Sequence, residues 1–84
     1  MTYEVLATPA AQRDLRRLPP EVRARLGEAI LALSEDPRLQ GEKLAVEDAY
    51  RKRVGDYRIV FRVDDRSRHV LVVRVRHRRE VYRR

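Results

Sequence analysis

The residues best suited to chemistry in this sequence are arginines placed around one tight turn. Residues 50–63 read YRKRVGDYRIVFRV, in which Gly55-Asp56 is typical of a two-residue hairpin turn between extended segments. If this pair forms the centre of the turn, Arg53 lies directly opposite Arg58 on the next strand. Like charges directly across a strand pair are destabilising, so this arrangement indicates that an anion lies between them. The hairpin therefore predicts a site for an anionic partner.

The distribution of charge supports the same interpretation. The chain has 84 residues and a formal net charge of +7. Residues 1–50 carry seven Lys/Arg against nine Asp/Glu, whereas residues 51–84 carry thirteen against four. Twelve of those thirteen are arginines, whose planar guanidinium binds phosphate in a forked geometry. A solvated, arginine-rich surface from a high-GC or thermophilic genome would explain some of the arginine content but not this asymmetry, which favours a nucleic acid or another acidic partner.

Composition also excludes several classes of protein. The chain has no cysteine, which excludes a disulfide framework and a thiolate metal site. His69 and His77 are too few for a histidine zinc site, so neither a metal nor a cofactor is expected. No apolar run is long enough to span a membrane, and the N-terminus lacks a signal-peptide pattern. We expect one domain, residues 1–84, in the cytoplasm.

The segments around the hairpin predict an α+β fold with the order β-α-α-β-β-β. Pro9 and Pro20 each suit the first turn of a helix, and the predicted helices span residues 9–18 and 20–35. The predicted strands span residues 2–7, 49–54, 57–64 and 69–76. The two helices should form a hairpin that covers one face of a small twisted antiparallel sheet.

A second assumed turn sets the register of the last strand. Placing Asp64 opposite Arg68 brings Arg58 opposite Arg74. The residues of the last strand expected to face the helices are then Leu71, Val73 and Val75. The arginines expected together on the outer face of the sheet are Arg51, Arg53, Arg58, Arg74, Arg76 and Arg78. A slip of one residue in either turn would scatter them.

The order of elements, the segment YRKRVGDYR (residues 50–58) and the ending HRREVYR (residues 77–83) resemble the RelE/ParE superfamily of toxins from type II toxin–antitoxin systems. The resemblance covers essentially the whole chain and implies the RelE-like microbial RNase fold. The ending is more similar to the RelE branch than to the ParE branch. RelE toxins are ribosome-dependent endoribonucleases (mRNA interferases), which cut mRNA in the ribosomal A site by attack of a 2′-hydroxyl on the adjacent phosphate. The resemblance therefore implies a toxin that inhibits translation.

The resemblance also implies roles for individual residues. Arg58 would contact the scissile phosphate, Arg78 would stabilise the charge of the transition state, and Tyr82 would stack on or deprotonate the nucleotide. Arg51 stands where the type member has a lysine, and because arginine stays protonated its role would be electrostatic. The further residues expected to bind RNA or phosphate are Arg53, Lys52, Arg74, Arg76 and His77.

The identity of the general base stays open at this point. Tyr82 has an ordinary pKa near ~10, which neighbouring arginines would lower. His77 has a more suitable ordinary pKa of about 6.5, but its position in the strand matches the helix-facing residues and equally favours a structural role.

The expected partners are a cognate acidic antitoxin that folds on binding, the ribosome with its mRNA, and operator DNA only as a complex with the antitoxin. Two alternatives share the same fold. A ParE-like toxin would inhibit DNA gyrase without cleaving RNA. A repurposed member would only pair with its antitoxin and bind operator DNA as a complex.

Overall fold

The computed structural model of the protein describes residues 2–45 and 48–77. The helices in this part of the chain are α1 (Pro9–Arg16) and α2 (Pro20–Leu31). The strands are β1 (Glu4–Ala7), β2 (Glu42–Lys43), β3 (Ala49–Val54), β4 (Tyr57–Asp64) and β5 (His69–His77). Two 3₁₀ turns, Ala32–Ser34 and Pro37–Leu39, connect α2 to β2.

The five strands form one sheet in the order β1-β5-β4-β3-β2, and the α+β fold predicted from the sequence is confirmed. The sheet is mixed rather than purely antiparallel, because β1 runs parallel to β5. Parallel neighbours need a long connection, and the chain between β1 and β5 contains both helices and three other strands. The two-residue strand β2 lies between the predicted second helix and second strand, where no strand was predicted, and extends the sheet beyond β3.

The β3–β4 hairpin has the predicted register. Val54 pairs with Tyr57, Arg53 with Arg58, and Arg51 with Val60. Gly55 lies at the first turn position with φ of +59°, a conformation that glycine adopts without a steric penalty. The turn signal in the sequence therefore fixes which side chains share a face of the sheet.

The predicted register of the last hairpin is wrong by one residue at its turn. Asp64 pairs with His69 rather than with Arg68, which has a left-handed φ of +60° and belongs to the turn. The Asp64 carboxylate accepts hydrogen bonds from the backbone N–H groups of Arg66 and Ser67, which stabilise this longer turn. The core residues near the turn are consequently Val70 and Val72, and the predicted Leu71 is exposed.

A bulge in β5 restores the predicted faces further along the strand. Phe61 pairs with Val72 and Val60 pairs with Arg74, so Val73 is the extra residue, half-buried and outside the core. The slip and the bulge together shift the register by two positions, which leaves the alternation of faces unchanged. Beyond the bulge Val75 is buried as predicted, and Arg58 lies opposite Arg76 instead of Arg74.

The helices cover one face of the sheet. Thr8 caps α1 by accepting a hydrogen bond from the N–H of Ala11, and Pro9 and Pro20 occupy the first turns of α1 and α2, as expected. The buried apolar residues between the layers include Ala11, Leu26, Ile30, Leu33, Tyr50, Ile59, Phe61, Val63, Val70, Val72 and Val75. Neither helix in the described part of the chain has the length and apolarity to cross a membrane.

Candidate phosphate-binding site

Three arginines lie side by side across the middle of the sheet, on the face away from the helices. Arg53 of β3 pairs with Arg58 of β4, which pairs in turn with Arg76 of β5. Directly paired residues on adjacent strands have Cβ atoms about 5 Å apart. We call Arg53, Arg58 and Arg76 the arginine row. Its three guanidinium groups belong to rigid, hydrogen-bonded strands, and their mutual repulsion favours an anion at this face.

A second row on the same face lies two pairs further from the β3–β4 turn and contains an acidic residue. Glu42 of β2 pairs with Arg51, whose Nη2 donates a 2.6 Å hydrogen bond to the Glu42 Oε1. The hydrogen bond and charge of Arg51, with further contributions from Arg53 and Arg58, lower the pKa of the Glu42 carboxyl. Glu42 is therefore ionised at neutral pH and offsets one of the four positive charges contributed by Arg51 and the arginine row.

Arg58, at the centre of the row, is only 3% exposed. Arg53 is exposed, whereas Arg51 and Arg76 are intermediate. A charged group is rarely buried to this extent unless other groups compensate its charge. Arg58 thus holds positive charge beneath the surface of the row, while its neighbours present theirs to solvent.

A cleft of about 460 Å³ borders Arg51 and Arg53 on the β2 side. The segment Leu39-Gln40-Gly41-Glu42 forms its other wall. Two arginines and a carboxylate therefore line a concave surface next to the arginine row.

Lys52, which the sequence assigned to phosphate binding, lies on the opposite face of the sheet. Its ammonium group donates hydrogen bonds to the Gln40 Oε1 at 2.7 Å and to the carbonyl of Ala29 in α2 at 3.5 Å. Burial lowers the pKa of the Lys52 ammonium. These contacts join β3 to α2 and separate Lys52 from the arginine row.

Arg74 lies on the predicted face by its pairing with Val60, but its guanidinium binds a carboxylate of α1. Its Nε and Nη2 donate to the two oxygens of Asp14 at 2.8 and 3.1 Å. The same carboxylate accepts the N–H of Val75 at 2.9 Å, next to the bulge. Although burial alone would raise it, these bonds from Arg74 and Val75 hold the pKa of Asp14 below its ordinary value.

His77 forms an edge-to-face contact with Tyr57, with the ring centroids 5.2 Å apart. Tyr57 packs against the core, so His77 lies on the helix-facing side, as the structural interpretation of its position required. Arg78 and Tyr82 lie outside the described residues, and the roles expected for them stay predictions.

A second charged cluster lies at the other end of the sheet, beside the Asp64 turn. Arg38 donates to the Asp65 Oδ2 at 2.8 Å and to the Tyr50 hydroxyl at 2.6 Å, and it lies 3.4 Å from the Asp48 Oδ1. The Tyr3 hydroxyl donates to the other oxygen of Asp65 at 2.6 Å. We call Tyr3, Arg38, Asp48, Tyr50 and Asp65 the Arg38 cluster. The hydrogen bonds from Tyr3 and Arg38 lower the pKa of the Asp65 carboxyl.

Comparison with known proteins identifies the family. Residues 5–82 match the family model described as the ParE toxin of the parDE type II toxin–antitoxin system. The chain is 41% identical to Toxin RelG of Mycobacterium tuberculosis over the full length of both chains. The chain belongs to the RelE/ParE superfamily of type II toxins. This RelE/ParE toxin is also 34% identical to Toxin RelE of the same organism, over 96% of this chain and 87% of the relative.

A solved structure agrees with the family and the fold. The RelE/ParE toxin superposes with a TM-score of 0.85 on a chain of the toxin–antitoxin complex RelBE2 from Mycobacterium tuberculosis. The two are 37% identical, and the match covers 93% of this chain and all of the other. The resemblance inferred from residues 50–58 and 77–83 is therefore confirmed at the level of the superfamily.

Two features of the candidate site in this RelE/ParE toxin were missed by the sequence interpretation. Glu42 and the cleft wall at residues 39–42 lie between the predicted second helix and second strand, where no element was predicted. A strand of two residues has no periodicity that could reveal it. The one available signal was Gly41, where a Cβ would lie 2.8 Å from the backbone oxygen of Arg51 and 3.2 Å from the ring of Phe61. A single glycine in a sequence does not by itself indicate that its backbone packs closely against another strand.

Proposed function

We propose that this toxin is a ribosome-dependent endoribonuclease that cleaves mRNA in the A site and thereby inhibits translation. The observation that carries the proposal is the arginine row, in which three arginines are paired across three adjacent strands. The superfamily and the relatives named RelE and RelG support it further. The function places the toxin in the cytoplasm, where translated message is found.

The chemistry requires stabilisation of added negative charge. In this reaction the 2′-oxygen attacks the neighbouring phosphorus, the bond to the 5′-oxygen breaks, and negative charge accumulates on the non-bridging oxygens. Forked guanidinium donors suit that charge, and preorganised donors of this kind accelerate such reactions by about 10²–10³ each. The ribosome would supply the alignment of the message, which fits a toxin with a shallow surface rather than a deep pocket.

The exposure of each arginine determines whether it would contact the phosphate directly. Arg53 and Arg76 would bind phosphate oxygens directly, together with Arg51 after it leaves Glu42. Arg58 is buried, so its direct contact with the scissile phosphate requires the surface above it to rearrange on binding. Arg78 and Tyr82 keep the transition-state and nucleotide-contacting roles proposed from the family.

The proposal leaves out two residues that the sequence suggested. Lys52 contacts α2 on the other face of the sheet, and Arg74 is held by Asp14. Both contacts give these cations a structural function. His77 is retained only as a neighbour of the site, since its ring lies on the helix-facing side with Tyr57.

We further propose that an acidic antitoxin neutralises the toxin, in keeping with the RelBE2 toxin–antitoxin complex that it resembles. The arginine row gives such a segment a complementary surface. Binding of operator DNA would occur only through that complex.

The proposed function is tested by primer extension on a translated message, with and without the purified toxin. New 5′ ends should appear in the presence of active ribosomes and be absent when translation is blocked. The family model is named for ParE, which keeps a second candidate function: inhibition of DNA gyrase. A toxin that blocks gyrase supercoiling and leaves translated message intact would replace the first proposal by the second.

A further inference from the structure

The wall of the cleft beside the arginine row is held rigidly. The Gln40 side chain donates to the carbonyl oxygens of Ala32 and Glu35, at 2.7 and 2.5 Å, and accepts from Lys52. Gly41 lies so close to β3 that an added Cβ would contact the backbone oxygen of Arg51 at 2.8 Å. The residue before Gln40 is therefore fixed in position.

That residue is Leu39, whose side chain is 85% exposed at the edge of the cleft. Single exposed leucines are common, and Leu31 of α2 is 70% exposed without lining this cleft. Leu39 differs because its backbone is held by the bonded Gln40 and because it shares the cleft with Arg51 and Arg53. The leucine offers an apolar surface for the base of a nucleotide, and the neighbouring arginines offer cations for its phosphate.

We propose that Leu39 forms a nucleobase-binding subsite, in which the base next to the scissile phosphate packs on the leucine while the phosphate lies on the arginine row. The inference rests on the proposed function and adds the part of the substrate that the cleft recognises. Single-stranded RNA is commonly bound through unstacked bases that pack on side chains, with the backbone on basic residues. Glu42, also in the wall, disfavours a second phosphate in the cleft and so favours the uncharged base.

The test is a cycle that removes the leucine and the base separately and together. Ribosomes are programmed with a message that carries either the normal nucleotide or an abasic ribose beside the scissile phosphate. Cleavage rates are measured in a single turnover for the unaltered toxin and for Leu39→Ser. We expect each change alone to slow cleavage by roughly tenfold and both together to slow it little further, because both remove the same contact.

Leu31→Ser is the matched control, since it removes an exposed leucine that does not line the cleft and should leave both rates unchanged. Because Leu39 is 85% exposed, Leu39→Ser should keep the Tm of the unaltered toxin. Independent effects of the two changes, or no effect of Leu39→Ser, would overturn the subsite while the nuclease stands. The subsite would also be overturned if Leu39→Ser cleaved the message normally but was no longer inhibited by the antitoxin. Leu39 would then be a contact for the antitoxin rather than for RNA. If the unaltered toxin leaves the message intact, the proposed function itself fails.

Discussion

The arginine row and the Arg38 cluster are both rich in charge, but they balance it differently. In the Arg38 cluster one guanidinium meets two carboxylates and a tyrosine hydroxyl, and the Tyr3 hydroxyl completes the coordination of Asp65. In the row three arginines are paired across adjacent strands, and Glu42 in the neighbouring row pairs with Arg51. Within the described residues, neither Arg53 nor Arg76 forms an ion pair. The positive charges of Arg53 and Arg76 are thus in excess, whereas the charge of Arg38 in the cluster is matched.

The difference indicates what each region does. A matched set of charges joins segments that are distant in the chain, here the residue before β1, the 3₁₀ turn at Arg38 and the Asp64 turn. An excess of one sign on rigid strands costs stability in the free protein and is useful only when a partner of opposite sign arrives. We therefore interpret the cluster as structural and keep the row as the proposed binding surface.

The largest expected effect comes from removing the centre of the row. Arg58→Met should lower the rate of message cleavage by about 10²–10³, because it removes a donor to the transition-state charge. Its Tm should fall less than that of Arg38→Met, because the change also relieves repulsion from Arg53 and Arg76, which offsets the loss of the other contacts of Arg58. Single-turnover cleavage on programmed ribosomes measures the rate, and thermal unfolding measures the Tm. An active Arg58→Met variant would remove the main support for the nuclease.

Arg38→Met should show the opposite behaviour. It breaks the contacts with Asp65 and Tyr50, so the Tm should fall by several degrees, while cleavage at a temperature where the variant is folded should stay within about twofold. The same two measurements apply. If a folded Arg38→Met toxin lost cleavage as severely as Arg58→Met, the division between structural and binding charges would not hold.

Asp14→Asn tests whether Arg74 belongs with the matched charges. The pKa of Asp14 is lowered in the folded protein, so its ionised form contributes stability above the ordinary carboxyl pKa of about 3.9, and this is lost as the pH falls through the lower folded value. Asp14→Asn should therefore lose about 1–3 kcal/mol at pH 7 and progressively less below pH ~4. Urea unfolding at several pH values measures the difference.

Glu28→Gln, an exposed change on α2, is the control for Asp14→Asn and should show little difference at any pH. A stability loss in Asp14→Asn that did not shrink at low pH would mean that packing, rather than the ion pair with Arg74, explains it.

The smallest effect is expected in α2, away from both charged regions. A Cβ added at Gly27 meets no atom within 4 Å, so Gly27→Ala should stabilise the toxin by about 0.5–1 kcal/mol through helix propensity. Cleavage should be unchanged. Lower stability in urea unfolding would show that the helix surface at Gly27 is more crowded than it looks.

Local signals made the first hairpin predictable. Gly55-Asp56 sets the turn, and the alternation in β4 then assigns Arg53 and Arg58 to one face. The second hairpin carried no comparable signal, because the left-handed residue of its turn is Arg68, a residue type that does not announce positive φ. The bulge at Val73 could not be predicted from the sequence, because Val72 and Val73 are identical residues and nothing indicates which of them faces the core.

Tertiary contacts explain why two further predicted site cations lie apart from the arginine row. Arg74 was assigned the correct strand but is captured by Asp14, which is sixty residues earlier in the chain. Lys52 was predicted to bind phosphate, but its position in β3 places it on the face of the sheet that packs against α2. Periodicity gives the face of a side chain and not the partner that it meets there.

The central claim is that the arginine row, and not the other arginines, binds the phosphodiester. The direct measurement is NMR of the arginine Nε–H groups during titration with a short RNA whose attacking 2′-hydroxyl is methylated, so that it cannot be cleaved. We predict shifts for Arg51, Arg53, Arg58 and Arg76, with Arg38 and Arg74 unchanged. Shifts for Arg38 and Arg74, with the resonances of Arg51 and the arginine row unchanged, would show that the row does not bind the phosphodiester.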